Sequence, residues 1–515
     1  MTTVGRRFPG AFRERLADKP AVIMATSGEA LTYADLDARA NQAARMFTAL
    51  AGGPGRHVAL CAENRLELLW LQWGAHYAGL YYTFISTRLT GEEIAYIVDD
   101  CSAQVLVVSA QTAPAALAEL GDGVRVLSLD AGVEGAEELA GLLDGESDSP
   151  LPDAVEGSDM LYSSGTTGRP KGIKPQLSGE PLGSTLVIAD LGAAFFGMGE
   201  DSVYLSPAPY YHAAPCRWVQ GFTGVGATAV IMERFDAEEA LRAIERYGVS
   251  HSQWVPTMFL RMLRLPDDVK ARYDLSSHRV AIHAAAPCPV DVKQAMIDWW
   301  GPILYEYYSG TEGAGMCMCD TDGWRAHPGS VGKAIFGEPH VVDEDGRERP
   351  AGEEGLIYFS GGQRFEYHRD PEKTAAVYRG DMATLGDVGH LDEDGYLYLT
   401  DRQSNMIISG GVNIYPQEAE NVLAGHPKVF DVAVIGVPNH EFGEEVLAVV
   451  QPADGVAGTD EDAQELIAAC TARLSKIKCP RRVEFRADLP REPNGKLLKR
   501  KLRDEYWAGR ASRLA

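Results

Sequence analysis

Residues 161–172 read LYSSGTTGRPKG, and the residue types in that run are those of an anion site. Ser163, Ser164, Thr166 and Thr167 supply hydroxyls around Gly165 and Gly168, and Arg169 and Lys171 add two cations. Glycines let such a loop turn tightly, so that many N–H and O–H donors converge on one point; the fitting ligand is rich in oxygens, a polyphosphate above all. A Walker A loop is excluded, because it needs four residues between its first glycine and a Gly-Lys-Ser/Thr. Gly165 and Gly168 are too close for that, and Lys171 follows Pro170. For the loop taken alone, a solvated Ser/Thr/Gly turn remains the alternative.

Further strings follow in order along the chain: LTYADLDARANQAARMF (31–47), YAGLYYTFISTRLTGEEIAYIVDDCSAQVLVVS (77–109), YYSGTEG (307–313), LGDVGHLDEDGYLYLTDRQSNMIISGGVNIYPQEAE (385–420) and PREPNGKLLKRKL (490–502). Together with the loop at 161–172 they resemble the adenylate-forming superfamily, which includes acyl- and aryl-CoA synthetases, luciferases and peptide-synthetase adenylation domains. The resemblance spans nearly the whole chain. It departs from the family pattern at Ser309, where glycine is usual, and at Ser404, a hinge position usually held by Asp or Lys.

The resemblance implies a reaction in which a carboxylate attacks ATP, giving an acyl-adenylate and pyrophosphate. Two anions must meet, so the site has to supply positive charge, oriented donors and an aligned attack on the α-phosphorus. In this reading Ser163, Ser164, Gly165, Thr166, Thr167, Gly168 and Lys171 cradle the outgoing phosphates. Thr311 contacts the α-phosphate and Glu312 holds Mg²⁺, which needs few protein ligands because phosphate oxygens and water complete its octahedron. Tyr308, Ser309 and Gly310 belong to the same motif, with Tyr308 against the adenine; Ala285, Ala286 and Pro287 flank the nucleotide and acyl group. Asp387 accepts the ribose hydroxyls, and Arg402 contacts ribose and phosphate. Lys496, shaped into a projecting turn by Pro493 and Gly495, bridges carboxylate and α-phosphate. In isolation these residues have plainer uses: a Thr-Glu pair starts helices, an Asp and an Arg make a surface ion pair, and Lys499, Arg500 and Lys501 of the same basic run face water.

The activated acyl group then needs a nucleophile. The resemblance implies rotation of a C-terminal domain about Ser404, replacing Lys496 by the segment SGGVNIYP (409–416), where Gly410 and Gly411 let a pantetheine arm pass close to backbone. Arg473, Lys476, Lys478, Arg481 and Arg482 form a basic cluster suited to the phosphates of coenzyme A, or a solvated face. The acid is expected in a slot lined by Tyr210, Tyr211, Trp218, Trp254, Met258 and His283, with His212 near the carboxylate. Aromatic walls favour an aromatic or compact cyclic acid, the small Ala284–Ala286 run leaves room for a medium-length aliphatic chain, and Trp and Tyr also serve as plain core. The acceptor is expected to be CoA. An amine giving an amide, or a carrier protein, is the alternative within the class; a nucleotide-binding regulator without catalysis is the alternative outside it. The acid itself and the oligomeric state are not written in these residues.

The elements that position this chemistry follow from pattern. Residues 32–50 carry apolar positions at helical spacing behind Thr32, and HVALCA (57–62) and QVLVVSA (104–110) read as short buried strands. Helix–strand alternation predicts an α/β large domain with mostly parallel sheets. Residues 110–155, rich in Ala, Gly, Asp and Glu, read as a peripheral mobile segment. After residue 325, Asp-Gly and Glu-Gly turns between short strands predict a small β-rich unit. The last hundred residues read as a helix over YPQEAENVLAGHP, strands DVAVIGVP and EEVLAVVQP and a helix over DEDAQELIAACTARL, a smaller, mobile α+β domain. The expected boundary divides 1–402 from 403–515.

The chain has 515 residues, 45% of them hydrophobic, and a formal net charge of −25. That charge argues against a nucleic-acid surface. No apolar signal core and no membrane-length run are evident, so the expected location is the cytoplasm. The eight cysteines lack metal-site spacing and are expected to be reduced and mostly buried.

Overall fold

The structure is a computed structural model and describes residues 7–163, 170–184, 186–410, 412–491 and 497–508. The side chain of Ser163 also lies outside the described set. The contacts divide the chain into two units, the first formed by residues 1–254, 264–282 and 365–375, the second by 255–263, 283–364 and 376–515.

The first unit is an α/β layer structure, as its alternating pattern predicts. One sheet is entirely parallel and orders Glu137–Glu138, Arg125–Ser128, Val105–Val108, His57–Cys61, Tyr81–Phe84 and Ser158–Asp159. In a second, strands of this unit run Ala30–Thr32, Pro20–Met24, Thr228–Ile231, Val203–Ser206, His251–Trp254, and of these pairs the one made by Ala30–Thr32 is antiparallel and the rest parallel. Central strands such as Val105–Val108 are buried on both faces, which is why they read as continuous apolar runs. The helix Tyr33–Ala51 opens on a capping box: Thr32 Oγ1 accepts from Asp35 N at 3.1 Å and the Asp35 carboxylate accepts from Thr32 N at 3.2 Å. It packs on the helix Glu67–Tyr77, where a Cβ at Gly74 would come within 2.5 Å of the Ala43 methyl, so only glycine permits the approach.

One expectation is corrected here. Residues 110–155 are not a loose peripheral stretch: Arg125–Ser128 is a strand of the parallel sheet, and Ala113–Ala118 and Leu139–Leu143 are short helices. The Ala/Gly/Asp composition hides a four-residue strand whose last three positions are buried.

The second unit is mostly antiparallel. Leu304–Ser309, Met316–Cys319 and Lys333–Phe336 form one meander. Glu338–Val342, Gly355–Ser360, Met382–Leu391, Tyr378–Arg379 and Leu397–Arg402 form the β-rich sheet expected after residue 325. In the C-terminal region, Val429–Asn439 and Gly443–Pro452 pair antiparallel, and Arg482–Phe485 joins in parallel. This sheet is covered on both faces, and the strand alternation assigns each side chain. Val432 and Val434 meet Leu423 and Leu466 of the helices Pro416–Ala424 and Asp460–Thr471, while Ala433 and Ile435 meet Leu502 of the helix Lys499–Trp507. In that last helix Arg500 and Lys501 face water as expected, but Lys499 does not: its side chain is largely buried against Glu420 at 2.8 Å.

All eight cysteines are free thiols, seven buried and Cys288 half-buried. Among the described residues no helix is long and apolar enough to cross a membrane.

The first unit also buries histidines as neutral rings. Desolvation lowers His57 and His278 from 6.5 to about 3 and His76 to about 4. The folded state therefore resists protons that the unfolded chain takes up below pH 6.5, so stability falls as pH drops from 6.5 towards these values. Each ring is expected to cost about 1.4 kcal/mol at pH 5.5 relative to pH 7.5, roughly 4 kcal/mol together. Urea unfolding at the two pH values checks this, and replacing His278 by glutamine should shrink the difference.

Candidate active site

The second unit holds the densest group of expected site residues. The strand Leu304–Ser309 delivers Tyr308, and the hairpin turn that follows, residues 310–315, carries Thr311 and Glu312. A Cβ at Gly310 would lie 2.6 Å from Glu312 Oε2 and 2.8 Å from Leu385, so glycine there allows the carboxylate to fold back over the turn. Across the neighbouring sheet, Asp387 and Arg402 are register partners on antiparallel strands. Cross-strand partners have adjacent Cβ atoms, which places a guanidinium beside a carboxylate without further design of the loops.

Asp387 is nearly fully buried, at 6% exposure. Its Oδ2 accepts from the Tyr308 hydroxyl at 2.6 Å and its Oδ1 from Arg402 Nε at 3.1 Å. The arrangement pushes the Tyr308 hydroxyl well above its ordinary range, through burial first and the Asp387 charge second. The Asp387 charge likewise raises the Arg402 guanidinium, which stays charged. A carboxylate offers about four lone-pair positions. Two are taken here, so Asp387 retains acceptor capacity for a ligand with adjacent hydroxyls.

His283 to Pro287 lead away from the strand Val280–His283, and Ala285 adopts φ +75°, a left-handed conformation that an alanine holds only at a cost of about 1–3 kcal/mol. His283 itself is fully buried, edge-on to Phe259 at 5.4 Å between ring centroids, with its Nε2 3.7 Å from Glu306 Oε2. Glu306 is held at 2.6 Å by the buried Lys293, and desolvation keeps His283 neutral. Met258, on the helix Pro256–Leu263, is buried in the same unit.

In the first unit, Lys171 begins the strand Lys171–Ile173, which pairs antiparallel with Leu161–Ser163, so the two strands bracket the hydroxyl-rich loop. Lys171 Nζ lies 4.8 Å from the Tyr367 ring centroid. Ser164, Gly165, Thr166, Thr167 and Gly168 lie outside the described residues, as do Gly411 and Lys496. His212 is the residue before the helix Ala213–Gly224, its ring against Tyr211 at 4.6 Å. Tyr210 is buried, donating its hydroxyl to Gln72 and its N–H to Asn64 Oδ1 at 2.7 Å. Trp218 packs between Phe196 and Phe222, and Trp254 donates its indole N–H to Ser252 Oγ at 2.6 Å. These three aromatics are thus tied into the core of their unit.

In the C-terminal region Gly410 has φ +57° and donates its N–H to Phe442 O at 2.8 Å. Of the basic cluster, Lys478 pairs with Glu418 and Arg482 with Glu445 and Glu484, so acidic neighbours offset part of its charge. Sequence reasoning passed over Asp401. Its Oδ1 accepts from Arg402 N at 2.6 Å and Asn405 Nδ2 at 2.9 Å, and its Oδ2 from Gln417 N at 2.9 Å. The only signal for it is its place beside Arg402.

The AMP-binding enzyme family matches residues 11–366, and its C-terminal domain, AMP-binding enzyme C-terminal domain, matches residues 418–496. The chain belongs to the AMP-binding enzyme family. By that membership it is an adenylate-forming ligase of the acyl- and aryl-CoA synthetase type, with a large α/β N-terminal domain and a small C-terminal domain. It is 34% identical over 495 residues to a long-chain-fatty-acid–CoA ligase of Mycobacterium tuberculosis, covering 93% of each chain. It is 35% identical over 491 residues to a feruloyl-CoA synthase of Amycolatopsis sp, covering 93% of this chain and 94% of that one. Among solved structures it is similar to the amide bond synthetase McbA from Marinactinospora thermotolerans, with a TM-score of 0.80, 28% identity, and 97% and 99% of the two chains covered.

In this AMP-binding enzyme the Tyr308 hydroxyl is one of two donors that hold Asp387. Tyr308→Phe is expected to lower the stability of the fold by about 1.5 kcal/mol or more, the contribution of a hydrogen bond to a buried charge. Urea unfolding of the variant and the wild type measures the change.

Proposed function

We propose that the chain joins an organic carboxylic acid to ATP, releases pyrophosphate, and passes the acyl group of the adenylate to coenzyme A. The observation that carries this is the Tyr308–Asp387–Arg402 cluster beside the Thr311–Glu312 turn. The two acceptor positions left on Asp387 suit the 2′- and 3′-hydroxyls of ribose, and Arg402 supplies a permanent charge for ribose and phosphate. Lys171 and the hydroxyls at 163–168 take the β- and γ-phosphates, Thr311 the α-phosphate, and Lys496 the incoming carboxylate with the α-phosphate.

Mg²⁺ fits this donor set. Among the described residues no group of three or more His, Cys, Asp and Glu side chains could hold a metal alone. A single carboxylate, Glu312, matches an ion that keeps water and phosphate oxygens for its remaining positions. When bound, the ion would offset phosphate charge; orienting the acid and aligning its attack falls to protein side chains.

The working division is 1–402 for acid and nucleotide and 403–515 for a mobile domain that pivots at Ser404. For the acid, the aromatic ring of Tyr211 against His212 favours a flat or compact cyclic acid over a long flexible chain. Arg473, Lys476 and Arg481 remain the cations best suited to CoA phosphates. A second reading, transfer to an amine, draws support from the similarity to an amide bond synthetase over nearly the full chain.

The test combines the purified protein with Mg-ATP and aromatic, cyclic and medium-chain acids, first with CoA and then with amines, and reads products by mass spectrometry. Catalytic thioester formation is the expected result. Amide turnover with adenylate stalled in the presence of CoA moves the acceptor to an amine, and no pyrophosphate with any acid overturns the enzymatic reading. Lys496→Ala is expected to lower adenylation by a factor of at least about one hundred while the thermal midpoint stays put, a loss of the size produced by removing one aligned charge from a transition state.

A further inference from the structure

The usual glycine of the Tyr-Gly-x-Thr-Glu pattern is Ser309 here, and the structure gives its hydroxyl a specific bond. Ser309 and Met316 are register partners at the mouth of the hairpin, and residues 310–315 form the turn between them. Three of those six residues are glycines: Gly310, Gly313 and Gly315. Such a turn has unusual backbone freedom, and ordering it is entropically costly. Bonds among the described residues hold it. Gly313 N donates to Gly310 O at 3.1 Å, and Gln363 N donates to Gly313 O at 3.3 Å. Gly315 is pressed on the Phe359 ring, where a Cβ would meet the ring at 2.1 Å.

A further tie is the side chain of Ser309. Its Oγ donates to Gly315 O at 2.8 Å, with Gly310 O farther off at 3.4 Å. This bond ties the end of the first strand to the last residue of the turn, a job that a glycine side chain at 309 has no atom to do.

We propose that Ser309 is a positioning residue that clasps the 310–315 turn and so holds Thr311 and Glu312 in place before nucleotide arrives. The proposal rests on the reading of Thr311 and Glu312 as contacts to the α-phosphate and Mg²⁺. The hydroxyl acts through the turn and not on the reacting atoms. Its loss therefore makes MgATP binding bear the ordering of the turn, and the effect falls on KM more than on kcat. One neutral hydrogen bond corresponds to about a threefold to tenfold change.

The experiment compares Ser309→Ala, Ser309→Val and Ser309→Thr in the full chain. Threonine and valine have nearly the same shape and differ in the hydroxyl, so the pair separates the hydrogen bond from packing. Two readouts are taken: amide hydrogen exchange of residues 310–316 in the ligand-free protein, and KM for MgATP with kcat from pyrophosphate release. Alanine and valine are expected to speed exchange and raise KM about threefold to tenfold, with kcat within about twofold of wild type and threonine restoring both. Unchanged exchange in alanine and valine overturns the clasp, as does a fall in kcat at constant KM, which would put the hydroxyl on the chemistry. Should the wild-type protein release no pyrophosphate with any acid, the proposed function fails, and the exchange readout still decides the clasp.

Discussion

The Tyr308–Asp387–Arg402 cluster of the second unit is organised around the buried carboxylate of Asp387. Removing the Asp387 carboxylate from water costs several kcal/mol unless it is paired and hydrogen-bonded, and both conditions are met by Tyr308 and Arg402. These partners come from different places: Tyr308 from the Leu304–Ser309 meander, Arg402 from the strand antiparallel to Asp387's own. The charge thus ties the meander that carries Thr311 and Glu312 to the sheet that ends at Arg402. Such a buried carboxylate is weak evidence of stabilisation for its own sake. Its spare acceptor positions explain its presence better, because a ligand hydroxyl can complete what the protein leaves open.

Around that charge the backbone is shaped by sterics as much as by bonds. Gly310 gives way to the Glu312 carboxylate, Gly315 to Phe359, and a Cβ at Gly362 would meet Ala314 O at 1.7 Å. Ala285 is the opposite case, a residue with a Cβ held at φ +75°. Ala285 lies in the segment 283–287, and Gly310 and Gly315 in the segment 308–315, the two that the family resemblance sets beside the nucleotide.

How much of this was legible in the sequence depended on whether the signal was local. The helix Tyr33–Ala51 was legible because its cap, Thr32 with Asp35, lies within four residues. The two strands of the C-terminal sheet were legible because burial on both faces leaves unbroken apolar runs. Arg125–Ser128 was not, since four residues in an Ala/Gly/Asp-rich stretch carry no period and only their parallel neighbour makes them a strand. The helix Lys499–Trp507 was missed because its charge suggested water, while a distant Glu420 makes Lys499 a buried partner. The site residues were nameable through motifs, but the Tyr308–Asp387–Arg402 geometry and the Ser309 bond were not: each joins positions whose meeting is set by strand register and turn closure.

Strand alternation has one more consequence at the end of the β-rich sheet. Arg402 and Asp401 are consecutive in the strand Leu397–Arg402, so their side chains point to opposite faces. Arg402 turns towards Asp387. Asp401 turns the other way and accepts from Gln417 N, at the first turn of the helix Pro416–Ala424, and from Asn405. Ser404 lies between these anchors, its carbonyl accepting from Arg503 Nη1 at 3.3 Å. A pivot at Ser404 therefore leaves the Asp387–Arg402 pair intact, since both members precede it. The same pivot must give up the bond from Gln417 to Asp401, because that bond spans it.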